Sequence, residues 1–220
     1  MKITFWLLDV NYEFKNGKPE VWLWGISDSG ERVLLVDGNF VGYFYAVIEE
    51  NVDPKVVAKE IDKKRFPLIV KLEVVERRFF GKPVKALKVY CSNPDVIPRY
   101  AREVRKLEGV KDCLEDDIRF SMRYLIDNGV VPCGWHEVNA VERENILGVK
   151  VDRVYSAEST PKFVEKADIP KLKILGFSTI CYSREGSPKP DRNPVIIIST
   201  ATNAHEEKQF LAGEDKNDKP

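Results

Sequence analysis

The chain has 220 residues, of which 43% are hydrophobic and 32% are charged, a balance typical of a folded globular protein with a buried core. Lysine and arginine together number 35, and aspartate and glutamate together also number 35. Because the net charge is zero, strong nonspecific attraction to nucleic acid is excluded, and any nucleic-acid binding must come from a local surface or pocket.

The cysteines indicate whether the chain binds a metal, and its first residues indicate where in the cell it is found. Cys133 lies three residues before His136, but no second ligand pair completes a tetrahedral zinc site, so we expect buried, reduced thiols and no metal or cofactor. The apolar run after Met1 is broken at Asp9 and is too short for a signal peptide or a membrane span. We therefore expect a cytoplasmic protein without membrane contact.

The first 40 residues alternate apolar and polar positions between turn-forming pairs. Asn16-Gly17 and Ser29-Gly30 separate three such segments, the pattern of antiparallel strands joined by hairpins. The fold is thus predicted to be α+β and to open with a small antiparallel β-meander.

From residue 42 the predicted order changes to strand, helix, strand, strand, helix, strand. Asp53 followed by Pro54 is a favourable start for the first helix. A turn is expected at residues 81–83, and four apolar residues at helical spacing give the second helix, predicted over residues 94–110, one apolar face. This order is that of a ferredoxin-like βαββαβ unit.

Three parts of the chain are distinguished by their composition. Residues 1–130 form the first domain, which ends with a helix over 121–128 and a left-handed cap at Gly129. Residues 131–170 are expected to be a connecting region, since they contain three prolines and scattered strand patterns. Residues 171–220 contain two strand patterns and a tail whose last residues are expected to fray.

The sequence has no nucleophile elbow, P-loop or paired-carboxylate motif. Its strongest charge feature is a basic run over residues 63–88, in which nine lysines and arginines face only Glu73 and Glu76. Two interpretations of this run are equally open: a surface that follows a phosphate backbone, or a solvated hairpin edge that charge protects from aggregation.

Several phrases, read together and in order, resemble the N-terminal region of archaeal family B DNA polymerases. They are "LDVNY" at 8–12, "GYFYA" at 42–46, "FFGKPV" at 79–84, "DVIP" at 95–98, "DDIRFSMRYLIDNG" at 116–129, "KILGF" at 173–177 and "NPVIIIS" at 193–199. The resemblance implies that residues 171–220 are the opening strands of an RNase H-like 3′-5′ exonuclease sheet. Palm, fingers and thumb have no counterpart, so the chain alone should not polymerise DNA.

In that family the first exonuclease strand reads F-D-I-E, and its two carboxylates hold the metal ions. The matching positions here are Ser178 and Ile180, which cannot replace them. The resemblance therefore implies a degenerate exonuclease remnant and a protein that is not an enzyme.

The same region of the family captures uracil, and also hypoxanthine, from single-stranded DNA. Carried over by residue, the resemblance implies a base pocket at Tyr12, Gly42, Tyr43, Val96, Ile97, Pro98, Ile118 and Phe120. It implies phosphate contacts or support of the pocket by Arg123, Arg119, Lys82 and Lys88. A guanidinium at position 123 either holds a flanking phosphate or braces the pocket wall.

Some pocket positions depart from the family pattern. Gly42 stands where the family has proline, Ile97 where valine is usual, and Arg119 where proline is usual. The first change opens the pocket wall and the second narrows it, which bears on the choice between uracil and hypoxanthine.

Four readings follow. The preferred one is a monomeric, non-catalytic sensor of deaminated bases in single-stranded DNA, acting with repair or replication proteins. The alternatives are a structural subunit of a split polymerase completed by another chain, an active exonuclease, and a fragment of a longer chain. For the split subunit we expect an unpaired apolar strand at "NPVIIIST".

Overall fold

The computed structural model describes residues 1–15, 17–184 and 186–213. Its strands are β1 (Lys2–Lys15), β2 (Lys18–Ser27), β3 (Arg32–Asp37), β4 (Gly42–Ile48), β5 (Ile69–Phe79), β6 (Lys82–Cys91), β7 (Val110–Leu114), β8 (Trp135–Arg143), β9 (Arg153–Ala157), β10 (Lys162–Val164), β11 (Leu175–Cys181), β12 (Val195–Thr202) and β13 (Glu207–Leu211). Its helices are α1 (Pro54–Lys63), a 3₁₀ turn (Pro94–Val96), α2 (Ile97–Val104) and α3 (Phe120–Asn128). These elements form two compact units, Met1–Pro170 and Lys171–Pro220.

The predicted meander is present as β1, β2 and β3, paired antiparallel. It belongs to a larger sheet with the order β1-β2-β3-β9-β8-β10, and a further pairing of β8 with β1 closes the sheet on itself. Apolar side chains such as Phe5, Leu23 and Leu35 fill the interior and are fully buried. Because β1 pairs with β8 and β3 pairs with β9, neither outer strand of the meander is a free edge. The predicted turn residue Asn16 lies outside the described residues.

The ferredoxin-like unit is confirmed. Its four strands have the order β5-β6-β4-β7, all paired antiparallel, and α1 and α2 pack on one face. The Asp53 side chain accepts a hydrogen bond from the Lys55 backbone N–H, as an N-cap should. The apolar face of α2 is buried as predicted, at Ile97, Tyr100, Ala101 and Val104.

Two predicted boundaries in this unit are wrong. The hairpin turn lies at Phe80 and Gly81, which have φ of 48° and 78°, and Pro83 already pairs with Arg78 inside the sheet. Two successive positive φ values match the twist of the strands, and this sets the turn one residue earlier than the Gly-Pro spacing suggests. The second helix ends at Val104 and not at residue 110, because turns follow as far as Gly109 with φ of 81°.

Helix α3 joins the closed sheet to the ferredoxin-like unit. Phe120 and Tyr124 are buried in the core of the closed sheet, and the Tyr124 hydroxyl donates a 2.8 Å hydrogen bond to the buried Asp37 carboxylate. The helix ends at Gly129 in the left-handed conformation, with φ of 62°, as predicted. These contacts hold the N-terminal turn of α3 beside the start of β4.

Residues 131–170 contribute three strands to the closed sheet. β8 pairs antiparallel with β1 and β9, β9 pairs parallel with β3, and β10 pairs with β8. The region that we expected to connect two domains therefore lies within the first compact unit.

The second unit contains an antiparallel sheet with the order β11-β12-β13, which agrees with the expected opening strands of an exonuclease sheet. The expected unpaired strand does not occur, since β12, which carries "VIIIST", is the central strand. Part of the predicted tail forms β13, and residues 214–220 lie outside the described residues. None of the described residues from 171 onward is buried.

The prediction of buried thiols is confirmed for Cys91 and Cys113, whose pKa burial raises to about 12. It is wrong for Cys133, which is exposed, and Cys181 is half-buried. Across the described ranges, no helix has both the length and the apolar character needed to cross a membrane.

His136 is fully buried and its ring is engaged on both nitrogens. Nε2 accepts a 3.1 Å hydrogen bond from the Val131 N–H, and Nδ1 lies 3.0 Å from the Gly134 carbonyl. Burial lowers the pKa of this histidine below its ordinary value, and the bond to Gly134 opposes the shift only in part. The neutral imidazole thus stabilises the chain around residues 131–136.

We expect the free energy of unfolding of the first unit to fall as the pH is lowered through about 6.5, the ordinary histidine pKa. Below that pH the unfolded chain binds a proton that the folded protein does not, so stability is present above it and is lost on acidification. Urea titrations at pH 7.5 and 5.5, followed by tryptophan fluorescence, measure the change. His136→Gln should lose this dependence and His205→Gln should keep it; an unchanged dependence in His136→Gln contradicts the assignment.

Candidate functional site

A cavity of about 290 Å³ opens in the first unit where five segments meet. Its size is at the lower end of the range for ligand pockets, about 300–1,000 Å³. The walls come from β1, the start of β4, the start of α2, the loop after β7 and the first turn of α3. The lining residues are Tyr12, Gly42, Pro94, Asp95, Ile97, Pro98, Asp116, Asp117, Ile118, Arg119, Phe120 and Arg123.

The apolar wall is built around a glycine that has no room for a side chain. A Cβ atom on Gly42 would lie 2.9 Å from Cδ1 of Ile97 and 3.2 Å from Cδ2 of Phe120. The larger aliphatic side chain at position 97 therefore extends into the space that the glycine leaves open. Gly42 and Ile97 are complementary in shape and together form one wall.

Tyr12 lies across the cavity from this wall. Its hydroxyl donates a 2.6 Å hydrogen bond to the Asp95 carboxylate, and its ring makes an edge contact with Phe120 at 5.1 Å between centroids. The bond to Asp95, together with burial, raises the pKa of Tyr12 to about 12. Tyr12 therefore stays neutral at physiological pH and keeps a fixed orientation.

Arg123 forms the base of the site and is only 4% exposed. Its guanidinium donates hydrogen bonds of 2.9 Å to the Glu115 carboxylate and to the Glu115 carbonyl, and its Cζ lies 4.2 Å from the centre of the Tyr43 ring. Burial alone lowers the pKa of Arg123, but its contacts to Glu115 and Tyr43 outweigh burial and raise it. The side chain is charged, fixed and fully engaged by protein groups.

The mouth of the cavity carries both signs of charge. Asp95, Asp116 and Asp117 face it together with the exposed Arg119. Asp116 lies 3.8 Å from the guanidinium of Arg105. A ligand at this mouth meets hydrogen-bond acceptors and donors in close proximity, beside apolar surface from Ile97, Ile118 and Phe120.

Eight of the predicted pocket and support residues line this cavity: Tyr12, Gly42, Ile97, Pro98, Ile118, Arg119, Phe120 and, at its base, Arg123. Val96 packs against the helical core of the ferredoxin-like unit, and Tyr43 lies behind Arg123. Lys88 covers the Tyr43 ring on the opposite face of the sheet from α1 and α2.

Lys82 is the first residue of β6, at the hairpin turn. It is six residues from Lys88, or about 20 Å along an extended strand. The basic run as a whole is split between two faces, because Arg77 and Lys88 alternate with Arg78 and Lys85 in the register of the hairpin.

Sequence reasoning missed the carboxylates of this site. Asp95 and Glu115 fix Tyr12 and Arg123, and Asp127 accepts a 2.6 Å hydrogen bond from the Tyr43 hydroxyl. The one available signal was their closeness in sequence to the pocket phrases "DVIP" and "DDIRF". Closeness in sequence does not distinguish a carboxylate that holds a pocket residue from one that is exposed to solvent.

Ser178 and Ile180 lie on β11 in the second unit. Ser178 pairs with Ser199, Ile180 pairs with Ile197, and β11 carries no carboxylate. An open depression of about 540 Å³ lies over this sheet, but it is the surface of an uncovered sheet and not an enclosed cavity. In the part of the chain that the structure describes, no three His, Cys, Asp or Glu side chains are grouped to hold a metal ion.

Comparison with known proteins shows similarity to one family along the chain. The model of the family described as "DNA polymerase family B, exonuclease domain" matches residues 111–214. DNA polymerase 2 of Aeropyrum pernix is 34% identical over 99% of this chain and 28% of its own length. DNA polymerase 3 of Saccharolobus shibatae is 34% identical over 89% of this chain and 25% of its own length.

A solved structure extends the match to the fold. The family B DNA polymerase from the hyperthermophilic archaeon Pyrobaculum calidifontis is 36% identical, with a TM-score of 0.78, over 96% of this chain and 27% of that protein. The chain is homologous to archaeal family B DNA polymerases over nearly its whole length, and its structure matches their N-terminal region. It spans about a quarter of the length of the relatives that it matches.

We expect Gly42→Ala to destabilise the first unit by about 1–3 kcal/mol, because the new methyl group overpacks the wall. Ile97→Val removes the Cδ1 atom that the methyl group would meet and should cost about 0.5–1.5 kcal/mol by itself. The double variant should be more stable than the sum of the two losses predicts. Urea unfolding of the four proteins measures this coupling, and strictly additive losses contradict the complementary wall.

Proposed function

We propose that this chain is a non-catalytic DNA-binding protein that recognises a deaminated base, uracil or hypoxanthine, in single-stranded DNA. The observation that carries the proposal is the cavity whose apolar wall is formed by Gly42, Ile97 and Phe120. Such a cavity accepts a base that has been turned out of the strand, which costs least when the strand is single.

The close packing of the wall supports selection by shape. Uracil differs from thymine by one methyl group, and an apolar pocket distinguishes such a pair by about 10- to 200-fold. The wall at Gly42 is close-packed, since a Cβ atom there would lie 2.9 Å from Ile97, and a close-packed wall is what discrimination against one extra methyl group requires. The polar mouth supplies donors and acceptors for the base edge, and both deaminated bases present a carbonyl beside a ring N–H.

The contacts of Arg123 favour the bracing role over the phosphate role. Both Glu115 and Tyr43 hold the guanidinium, which has almost no exposed surface to offer a phosphate. Arg119 is exposed at the mouth and is the better candidate for contact with the DNA backbone.

The absence of catalysis is the second part of the proposal. Two-metal hydrolysis requires carboxylates to hold the ions, and the matching strand has Ser178 and Ile180 instead. The family's polymerising domains have no counterpart among the 220 residues. A chain that binds a deaminated base without cutting DNA would act in the cytoplasm as a monomer and deliver the lesion to repair or replication proteins.

Fluorescence anisotropy with labelled single strands that carry one uracil, hypoxanthine or thymine tests the proposal at fixed salt. We expect uracil or hypoxanthine to bind at least about tenfold more tightly than thymine. Ile118→Trp, which fills the cavity, should abolish the preference. Ile126→Trp is the matched control, because Ile126 is 64% exposed on α3 and does not line the cavity.

Equal affinity for all three strands would show that the cavity does not read the base. The same strands incubated with Mg²⁺ should keep their length. If the strands are shortened in a metal-dependent way, and this activity persists through repeated purification, the proposal that the chain is non-catalytic is overturned. The proposal that it binds a deaminated base is unaffected by that result.

A second candidate function, a structural subunit of a split family B polymerase, has one specific observation in its favour. The sheet of the second unit is apolar on both faces: Phe177 and Phe210 lie on one face and Ile180 and Leu211 on the other, and all four are more than half exposed. A three-stranded sheet with both faces uncovered has no core to stabilise it. Another polypeptide that carries the remaining polymerase domains would cover these faces.

For this candidate we expect amides of β11–β13 to exchange hydrogen much faster than those of β4 and β6 in the isolated chain, because few buried contacts hold the sheet. Adding a family B polymerase chain that lacks this region should slow the exchange and give a complex in sedimentation velocity. Phe177→Asn with Phe210→Asn should prevent both effects. Strong protection of β11–β13 in the isolated chain would exclude this candidate.

A further inference from the structure

A second groove, of about 320 Å³, lies beside the base cavity on the other side of Tyr43. Its main walls are the aromatic rings of Phe40, Tyr43 and Tyr90, the lysines Lys71 and Lys88, and Asp127. It opens on the face of β4, β5 and β6 that is turned away from α1 and α2. Aromatic rings interleaved with ammonium groups are the usual composition of surfaces that bind single-stranded nucleic acid.

Lys88 is the cation of this groove that makes no direct ion pair among the described residues. Its Nζ lies 3.7 Å from the centre of the Tyr43 ring and 5.0 Å from that of Tyr90, so the side chain is held in place. No carboxylate of the described residues lies within 4.0 Å of it. Lys71, in contrast, is paired with Glu73 at 3.0 Å.

The carboxylates in and beside the groove already accept hydrogen bonds from protein groups. Asp127 accepts the hydrogen bond from Tyr43, and Glu73 accepts hydrogen bonds from Lys71 and from the Tyr90 hydroxyl at 2.9 Å. Glu73, the cross-strand neighbour of Lys88, interacts with its charge at longer range but accepts its hydrogen bonds from Lys71 and Tyr90. An anion that entered the groove would therefore find one fixed ammonium group with free donors.

The Tyr43 ring connects the groove to the base cavity. Arg123, at the base of the cavity, has its Cζ 4.2 Å from the ring centre, and the Lys88 Nζ lies 3.7 Å from the same point. The two cations are therefore no more than about 8 Å apart. The Lys88 ammonium group therefore lies close to the base of the cavity.

We propose that the groove binds the nucleotide next to the captured base, with Lys88 holding the phosphate that links the two nucleotides. The neighbouring sugar and base pack against Phe40 and Tyr90. This inference rests on the proposed function, and it adds a register: one defined phosphate beside the captured base is bound more tightly than the others.

A cycle of variants and backbone modifications tests the register with the full chain and uracil-containing single strands. Lys88→Met keeps most of the aliphatic stem over Tyr43 and removes the charge, and it should weaken binding about tenfold. The slope of log affinity against log salt should fall by about 0.7, the value for one phosphate of a single strand. Lys88→Arg should restore both values.

The strand is then made with a neutral methylphosphonate at one linkage, on the 5′ side or the 3′ side of the uracil. At one of these two positions, Lys88→Met should cause no further loss, because its partner charge is already absent. Lys59→Met is the matched control: Lys59 is exposed on α1, on the other face of the sheet, and its variant should bind every strand as the unmodified protein does.

The outcomes separate this inference from the proposed function. If Lys88→Met weakens binding equally for the natural strand and for both modified strands, or has no effect on any of them, the phosphate assignment is overturned while the preference for uracil over thymine stands. If that preference is absent in the unmodified protein, the proposed function itself has failed. Unfolding curves of Lys88→Met confirm that the groove remains folded.

Discussion

The site depends on how α3 is anchored in the closed sheet. Phe120 and Tyr124 occupy the core of that sheet, and the buried hydrogen bond from Tyr124 to Asp37 fixes the rotation of the helix about its axis. Loss of a buried partner would leave the Asp37 carboxylate without its donor, which is costly inside a protein. With the helix fixed, Phe120 closes the cavity wall and Arg123 reaches Tyr43 on the neighbouring sheet.

Tyr43 is where the two candidate binding surfaces meet. Arg123 and Lys88 both contact its ring, and Asp127 accepts a hydrogen bond from its hydroxyl. Burial, followed by that bond, raises the pKa of Tyr43 well above its ordinary value, so the ring carries no charge of its own. A neutral ring between two cations attracts both through its π face.

Most of the fold in the first 130 residues was predictable because its signals are local. Turn pairs, the Asp53 cap, the left-handed Gly129 and the apolar face of α2 each act within a few residues. The role of residues 131–170 was not predictable, because β8 and β9 pair with strands more than 100 residues earlier. A strand pattern in the sequence predicts that a strand forms, but it does not predict which other strand it pairs with.

The sequence by itself determined the family resemblance, the residue types of the cavity and the absence of carboxylates from the strand that contains Ser178 and Ile180. Only the tertiary structure decided that Ile97 fills the space beside Gly42, that Arg123 is held by Glu115, and that Lys88 lies over the Tyr43 ring. The physical reason is that residue chemistry is a local property. Shape complementarity and charge pairing depend on distances between segments that only the packed chain brings together.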